Sequence, residues 1–547
     1  MDRYPRQTAP PSPPYDEKLA LVDERFMSSD TESESSNSNR RREFDSPFSK
    51  IALLSTVKSY QPQGLPRAPS IRISLLKMGI FLLPSFVQHR FTRDRRAGPE
   101  KLHPTAYLDG MRGLAALFVF FCHYSYTAFF IHEAWGHEDS NYEIWKLPFL
   151  RLLYSGPSMV CVFFVISGYA LSFKPLKQIR SRSFDGFAGT ITSFTFRRPF
   201  RLFLPTMVST FMILVLLRLG AFEGTRAFTQ DPNFMHNVKE PHPLLMETTR
   251  KQIHHWAWEM YNFVHIWSWE NHGGSTSYDV HLWTIPVEFR CSMVLFLTLC
   301  ATARLRTWAR FLCVGVFAWF VLRNDRWEML LFLGGMTIAE MDLIQNTHGQ
   351  SQQQQPLPSS APPSGLLPLN HQTGSSEGKA PKTISRRQAI FWTLVAVPAL
   401  YLMSEPDMGT EGVPGWGYLG ARIPEWFSDK YRYWQMWGAI LFVFCAARSP
   451  WWQHVFNTAP VQYFGRISYA IYLMHGPVTH IVGYRVQRLV FAYTGVEEWT
   501  DYRRGFLLAA VVNVPLVVWA ADVFWRAVDA PIVRFTRWLE GKLSVSE

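Results

Sequence analysis

The sequence predicts an all-α protein, a polytopic transmembrane helical bundle of about ten spanning helices with both termini in the cytoplasm. Apolar residues occur in long runs, while polar residues are confined to a few tracts. Ten of these runs approach the length of a membrane span. Basic residues stand just beyond the runs, as they do on the cytoplasmic face of membrane proteins. The mean hydropathy of −0.05 therefore averages over strongly segregated segments.

The ten candidate spans are apolar segments with few charges, and a bilayer core needs about 20 such residues per helix. They lie at 107–131, 153–173, 202–221, 280–302, 307–322, 328–345, 388–403, 433–447, 466–486 and 505–528. The segments 307–322, 388–403 and 433–447 are short for a span, and helices buried inside a protein have the same pattern.

The charge of the connections predicts the orientation. Residues 174–201 contain seven basic residues against Asp185, and the tail after the last span is also basic. The connections 132–143 and 404–412 are acidic. Under the positive-inside rule the basic connections are cytoplasmic. An even number of spans then places both termini on that side.

The chain divides into a membrane domain and polar flanks. Serine, proline and charge dominate the tail and one linker, and such segments cannot bury enough apolar surface to fold. The predicted parts are a disordered cytoplasmic tail (1–70), an interfacial helix with a basic lead-in (71–106), a membrane domain (107–535) with an extracytoplasmic loop (222–279) and a disordered cytoplasmic linker (346–387), and a cytoplasmic tail (536–547).

Composition excludes other classes of protein. The net charge of +12 comes from basic residues beside apolar segments, so it indicates a lipid bilayer as partner and not nucleic acid. The six cysteines lie in or beside apolar runs without CxxC spacing, which predicts small buried side chains and no disulfide framework. The histidines of 222–279 lack metal-ligand spacing, and we expect no metal. The tryptophans there fit either a cap over an acceptor or an interfacial aromatic belt.

The first span carries polar residues that hydrocarbon penalises. Asp109 and Arg112 stand near its start and His123 lies well inside. At about 100° per residue, Arg112 and His123 fall about 20° apart on one helix face. At about 1.5 Å per residue, His123 lies about 24 Å beyond Tyr107, in the half of the bilayer away from the cytoplasm.

The fourth span supplies a carboxylate at a similar depth. Glu288 lies about 12 Å into the membrane from Val280. This depth is within one or two helical turns of the depth of His123. Pro286 can bend the fourth span just before Glu288. Because a buried charge costs several kcal/mol, an intramembrane His/Glu pair indicates function. A structural ion pair between two helices fits the same residues.

Further polar residues mark the other spans. Arg197, Arg198 and Arg201 stand at the cytoplasmic end of the third span, where they suit either phosphate binding or topology-fixing contacts with lipid head groups. Ser167 and Tyr169 lie within the second span, as a helix crossing or a pocket lining. His475 falls near mid-membrane before a Gly-Pro pair, a position that is more often structural than catalytic.

Five motifs follow one another along the chain: "YLDGMRGLAALFVFFCH", "CVFFVISGYAL", "RRPFRLFLP", "LWTIPVEF" and "GRISYAIYLMHGPV". In this order they resemble the acyltransferase-3 family of multispanning membrane enzymes, in particular its fungal members. The resemblance implies transfer of an acyl group, commonly acetyl, from cytoplasmic acyl-CoA to a hydroxyl of an extracytoplasmic or membrane-embedded acceptor. The chain departs from the family at two places. Many bacterial members have a "WSLSVE"-like stretch where this chain has "WTIPVE", and this chain has Asp529 where the family often has a glutamate before proline.

The resemblance also implies roles for single residues. His123 and Glu288 are expected to be catalytic, the imidazole as general base and the carboxylate as the group that orients it. Arg112, Arg197, Arg198 and Arg201 are expected to bind acyl-CoA. Channel or structural support is expected from Asp109, Ser167, Tyr169, Trp283 and His475. Acyl-CoA is a substrate, so we expect no permanently bound cofactor.

Two rival functions share the same sequence features. Ten spans with intramembrane charges also suit an ion-coupled transporter, although the halves show no convincing internal repeat. A non-enzymatic membrane scaffold could use the tail and linker to recruit partners. The acceptor (glycan, lipid or secondary metabolite) and the membrane (endomembrane or plasma membrane) stay open for this multi-pass protein.

Overall fold

The computed structural model describes residues 78–91, 102–137, 141–266, 274–345, 385–411 and 413–545. Within these ranges the protein is helical and contains no β-strand, only isolated bridges such as Glu133 with Met408. The all-α prediction is confirmed for this part of the chain. The predicted disordered tail 1–70 and nearly all of the linker 346–387 lie outside the described residues.

The long helices carry the architecture. They are α1 (Ala106–Ser125), α2 (Gly156–Arg180), α3 (Phe184–Arg218), α4 (Thr249–Val264), α5 (Thr284–Thr302), α6 (Thr307–Arg323), α7 (Trp327–Gln345), α8 (Arg386–Met403), α9 (Arg432–Ala446), α10 (Ala459–Val478), α11 (Tyr484–Thr494), α12 (Trp499–Phe524) and α13 (Ala530–Leu543). Each of the ten predicted spans overlaps one of them.

Shorter elements connect these helices. They are α-helices at Ser85–Phe91, Glu223–Arg226, Trp416–Gly420 and Pro450–Phe456, 3₁₀ turns at Ile144–Lys146, Leu150–Tyr154, Phe228–Gln230 and Val280–Trp283, and π-helical turns at Thr479–Gly483 and Trp525–Asp529. The predicted interfacial helix is represented by helical residues 78–82 and by Ser85–Phe91, on either side of Pro84.

Four helical segments among the described residues are long and apolar enough to cross a bilayer. They are Gly156–Arg180, Phe184–Arg218, Val280–Thr302 and Trp499–Leu543. A helix rises about 1.5 Å per residue, so the 25 residues of α2 cover the hydrocarbon core with length to spare. These helices are typical of a membrane protein.

Glycines let the central helices approach closely. A Cβ on Gly168 of α2 would lie 2.2 Å from the carbonyl oxygen of Phe332 in α7, and a Cβ on Gly113 of α1 would lie 2.2 Å from the amide nitrogen of Gly465 in α10. Contacts of this kind are typical of helix pairs in membranes. The second pair fixes the polar face of α1 against α10.

Two apolar cores flank the polar centre of the bundle. One is built mainly by α2, α7 and α9, and the other mainly by α1, α10 and α12. All six cysteines are free thiols, as expected. The expectation that they are buried is wrong for Cys300 and Cys313, which lie on outward-facing surfaces of α5 and α6, where an apolar thiol can face lipid.

Candidate active site

A cavity lies between the two cores, among α1, α2, α3, α5 and α10. It has a volume of about 120 Å³. Four arginines line it, together with two carboxylates: Arg112, Arg198, Arg201, Arg466, Glu288 and Asp529. We call this space the arginine cavity. A cluster of guanidinium groups suits an anion with several phosphates, because each group presents paired N–H donors.

Arg112 is positioned by its own helix and by α10. Its guanidinium lies 3.0 Å from the Asp109 carboxylate, and its Nε donates to the Ser468 hydroxyl at 3.1 Å. Asp109 therefore holds Arg112 in place. The close contact of Gly113 with Gly465 makes this bridge between the helices short enough to form.

Glu288 is bound inside the arginine cavity. Its Oε1 accepts hydrogen bonds from Arg198 Nη2 at 2.7 Å and from the Ser167 hydroxyl at 2.9 Å. Arg198 is only 2% exposed, and its Nε donates to Ser292 at 3.0 Å. A buried guanidinium needs such a counter-charge because leaving it unpaired costs several kcal/mol.

The expected contact of Glu288 with His123 is not the one that the structure shows. The number of residues along each helix places His123 and Glu288 at similar depths in the membrane. It does not determine which neighbouring helix the carboxylate faces. Glu288 faces α3, where the opposite charge of Arg198 attracts it.

Three histidines meet beside the cavity, and we call them the histidine cluster. His123 of α1, His281 of the 3₁₀ turn before α5 and His475 of α10 place their ring nitrogens within 4.8 Å of one another. The ring centroid of His281 lies 4.1 Å from that of His123 and 4.8 Å from that of His475. His123 and His475 stack at 5.3 Å.

Carboxylates hold both nitrogens of His281. Its Nδ1 lies 2.8 Å from Asp279 Oδ1, and its Nε2 lies 2.8 Å from Glu240 Oε1. The other oxygen of Glu240 is 2.8 Å from His480 Nε2. Burial opposes ionisation of Glu240, but the contacts with His281 and His480 lower its pKa well below the ordinary value. Glu240 is therefore an anion that accepts from two imidazoles.

The other two histidines each offer a buried nitrogen. His475 Nδ1 lies 3.2 Å from the Ile471 carbonyl oxygen and must donate to it, because a carbonyl can only accept. His475 Nε2 then carries the lone pair in the neutral ring. Neither this atom nor His123 Nδ1 has a hydrogen-bond partner among the described residues. A ligand that reached the cluster could bond to either atom.

The cluster is poorly suited to a metal ion. Imidazole is a preferred zinc ligand, and a catalytic zinc site uses three protein ligands and an open position. Both nitrogens of His281 are occupied by carboxylates, so only His123 and His475 could offer a lone pair. The expectation of no metal stays a prediction.

The cavity and the cluster are joined by α5 and α10. Tyr472 and Thr284 line the arginine cavity. The Tyr472 hydroxyl donates to the carbonyl oxygen of His281 and lies 2.7 Å from the Thr284 hydroxyl, which therefore donates to Tyr472. Val119, one helical turn before His123, also lines the cavity. An extended ligand in the cavity would point toward the imidazoles.

Some expected site residues lie elsewhere. Arg197 forms an ion pair with Glu540 of α13 at 3.2 Å and is not among the residues lining the cavity. The Tyr169 hydroxyl donates to Asp342 at 3.1 Å, and Trp283 lies under the guanidinium of Arg432. Tyr169 and Trp283 thus support the packing, whereas Ser167 lines the cavity.

Sequence reasoning missed several residues of the site. His281 stands just before the "LWTIPVEF" motif, which is the one sequence clue to it. Arg466 is the second residue of the "GRISY" motif and lines the cavity. Asp279 and Glu240 belong to the loop 222–279, where neither periodicity nor spacing distinguishes them. Asp529, noted only as a departure from the family, lines the cavity as well.

The chain was compared with known proteins. Residues 105–525 match the family model described as an acyltransferase domain. The chain belongs to the acyltransferase-3 family. It is 31% identical over 486 residues to the O-acetyltransferase PaAT-1 of Phomopsis amygdali, covering 85% of this chain and 89% of that protein. It is 23% identical over 472 residues to the acyltransferase clz18 of Cochliobolus lunatus, covering 78% and 94%. No solved structure matches the chain.

The family assignment settles the class of protein. The acyltransferase-3 family and the named relatives make this chain an O-acyltransferase, so the transporter and the scaffold are not needed to explain its intramembrane charges. The arginine cavity and the histidine cluster are the parts of the fold that offer chemistry for this activity.

Proposed function

We propose that this protein transfers an acetyl group from acetyl-CoA to a hydroxyl of an extracytoplasmic or membrane-embedded acceptor, which is a glycan, a lipid or a secondary metabolite. The observation that carries the proposal is the junction of an arginine-lined cavity with a cluster of buried imidazoles. The printed name of PaAT-1, an O-acetyltransferase, supports acetyl as the transferred group.

The donor binds in the arginine cavity. Arg201 and Arg466, with Arg112 beside them, contact the phosphates of CoA, and the pantetheine arm extends along α1 toward His123. Arg198 belongs to the same wall, but its pairing with Glu288 makes it a structural part of the cavity as well as a positive charge. Arg197 has no role in this proposal because it faces Glu540.

The chemistry takes place at the histidine cluster. His123 accepts the proton of the acceptor hydroxyl while the hydroxyl oxygen attacks the acetyl carbonyl carbon. The tetrahedral intermediate then collapses, the carbon–sulfur bond breaks, and the departing thiolate takes the proton from His123. The products are the acetyl ester and CoA, and the enzyme is unchanged.

The topology follows the same proposal. Ten helices cross the membrane, namely α1, α2, α3, α5 to α10 and α12, and both termini are cytoplasmic. The Arg198 end of α3 then faces the cytoplasm, where acyl-CoA is made, while the segment with Glu240 lies outside. The protein is a multi-pass resident of an endomembrane or the plasma membrane.

Donor binding can be tested without knowing the acceptor. Purified protein in detergent is titrated calorimetrically with acetyl-CoA. Because a hydrogen bond to a charged group contributes about 1.5–3 kcal/mol, we expect Arg201→Gln and Arg466→Gln each to weaken binding by about tenfold or more. Arg197→Gln is the matched control on the same helix and should bind as the unaltered protein does. Equal affinity in all four proteins would refute the cavity as the donor site.

Catalysis is tested with radiolabelled acetyl-CoA. Membranes containing the protein are incubated with extracts of wall glycans, lipids and metabolites, and labelled products are separated. His123→Gln is expected to abolish labelling while acetyl-CoA binding persists, because the amide cannot act as a base near neutral pH. Full labelling with this variant would remove His123 from the mechanism.

A further inference from the structure

We propose that His281 is a positioning residue that stays doubly protonated throughout turnover. Asp279 and Glu240 hold it as an imidazolium, and its fixed positive charge keeps the neighbouring His123 neutral. This inference deepens the proposed function and rests on it for its catalytic meaning. It assigns a purpose to the extracytoplasmic segment that supplies Glu240.

The hydrogen bonds of His281 determine its proton count. A neutral imidazole has one N–H and one lone pair. Both nitrogens of His281 lie 2.8 Å from carboxylate oxygens. A ring nitrogen without a proton would turn its lone pair toward the lone pairs of a carboxylate oxygen, which repel it. Little water can relieve this repulsion, because His281 is only 5% exposed. A second ring proton makes both contacts attractive, so the imidazolium is the form that fits.

The two carboxylates are themselves fixed. Asp279 caps the turn that carries His281, because its Oδ1 also accepts the backbone N–H of His281 at 3.1 Å. Glu240 is held from the other side by His480. Asp279 is 6% exposed and Glu240 is 5% exposed. Neither can turn to solvent without leaving one N–H of the buried imidazolium without an acceptor.

His281 lies close enough to act on its neighbours. Its ring centroid is 4.1 Å from that of His123. The other titratable groups facing His123 are His475 at 5.3 Å and Tyr126 at 5.3 Å between ring centroids, with the Glu240 carboxylate farther away. Beside Asp279 and Glu240, the charge of His281 also faces His475 and the Tyr472 hydroxyl. A cation at this range opposes a second positive charge on His123.

The consequence for transfer concerns both proton steps. A base must be neutral before it accepts the hydroxyl proton, and the charge of His281 ensures that. Once His123 is protonated, two cations flank the oxyanion of the tetrahedral intermediate and stabilise it. Their mutual repulsion then favours transfer of the proton from His123 to the departing thiolate.

The protonation of His123 can be read without turnover. Diethyl pyrocarbonate acylates neutral imidazole and not imidazolium, so the labelling of each histidine against pH reports its protonation. The full-length protein is labelled from pH 4 to 9, and the peptide containing His123 is quantified by mass spectrometry. Labelling of His123 in the unaltered protein is expected to persist to low pH.

Two variants change the charge beside His123, and a third serves as the control. His281→Gln removes the cation and leaves two carboxylates, so the half-labelling pH of His123 should rise by about one unit or more. The double variant Glu240→Gln with Asp279→Asn keeps nearly the same shapes and lets His281 become neutral. It should also raise the midpoint, by less than His281→Gln does. Glu247→Gln, an exposed residue of the same segment, is the matched control and should leave the midpoint unchanged.

The activity readout separates this inference from the proposed function. The acidic limb of the pH profile of acetyl transfer should move upward in the same variants, with kcat falling at neutral pH and KM for acetyl-CoA little changed. An unaltered His123 labelling midpoint in both His281→Gln and the double variant overturns the inference. Absence of acetyl transfer by the unaltered protein, with the labelling shifts intact, overturns the proposed function alone.

Discussion

The pair of the buried Arg198 and the half-buried Glu288 offers the sharpest test of how the cavity wall is held together. Their charged atoms are 2.7 Å apart, which at an effective dielectric constant of about 20 gives a gross attraction of about 6 kcal/mol. Desolvation offsets most of it in the intact protein. Removing Glu288 still costs about 3–5 kcal/mol, because the charge of Arg198, which is 2% exposed, stays buried. Glu288→Ala should therefore lower the free energy of unfolding by about 3 kcal/mol or more.

A double-mutant cycle isolates the pair. Equilibrium unfolding in mixed micelles with rising dodecyl sulfate gives the free energy for Glu288→Ala, Arg198→Ala and the double variant. The second substitution removes a charge that the first substitution has left without a partner. The free energy of unfolding of the double variant should therefore fall by about 2 kcal/mol less than the sum of the two single decreases. Glu540→Ala is the control, since it removes the partner of the neighbouring Arg197 at a more exposed site and should cost about 1 kcal/mol or less.

Two results would refute this reasoning. Single losses that add to within about 0.5 kcal/mol would mean that Arg198 and Glu288 do not interact. A shifted pH profile of acetyl transfer in Glu288→Gln, with stability unchanged, would return Glu288 to the role of orienting His123.

Two further predictions concern packing and pH. Gly168→Ala places a Cβ 2.2 Å from the Phe332 carbonyl oxygen and should lower the free energy of unfolding by about 1–3 kcal/mol. Gly315 has open space around it, so Gly315→Ala should be neutral or stabilising in the same unfolding assay. Burial raises the pKa of Glu405 in the loop after α8 to about 9. The folded state therefore holds a proton that the unfolded chain releases above its ordinary pKa, and stability falls as pH rises between these two values, by up to about 1.4 kcal/mol per unit. Glu405→Gln should gain thermal stability over the unaltered protein at pH 8 but not at pH 4, and equal differences at both pH values would contradict this.

Ten of the long helices could be predicted because their apolar runs are encoded locally. Each of the ten predicted segments overlaps a helix, whereas α4, α11 and α13 were not predicted. The face shared by Arg112 and His123 also follows from helical periodicity alone. Both side chains come out on the inner side of α1, one at the cavity and one in the histidine cluster.

The partners of those side chains could not be predicted, because they depend on how helices rotate against one another. Counting residues gives the depth of Glu288 but not its direction, so the sequence could not show that Arg198 competes for it. The contact of Glu240 with His281 is even harder to predict from the sequence. It reaches His281 from an irregular segment whose path depends on the whole bundle, and nothing within its own stretch of sequence marks it.

The two acidic groups among the arginines have a consequence for product release. Glu288 and Asp529 line the cavity with the arginines and partly neutralise their positive charge. The phosphates of a ligand would therefore compete with these two carboxylates for the guanidinium groups. In the proposed reaction, such competition weakens the binding of the CoA product as much as the binding of acetyl-CoA. The pocket is thereby suited to rapid exchange, and its occupancy should follow the ionic strength and donor supply of the surrounding compartment.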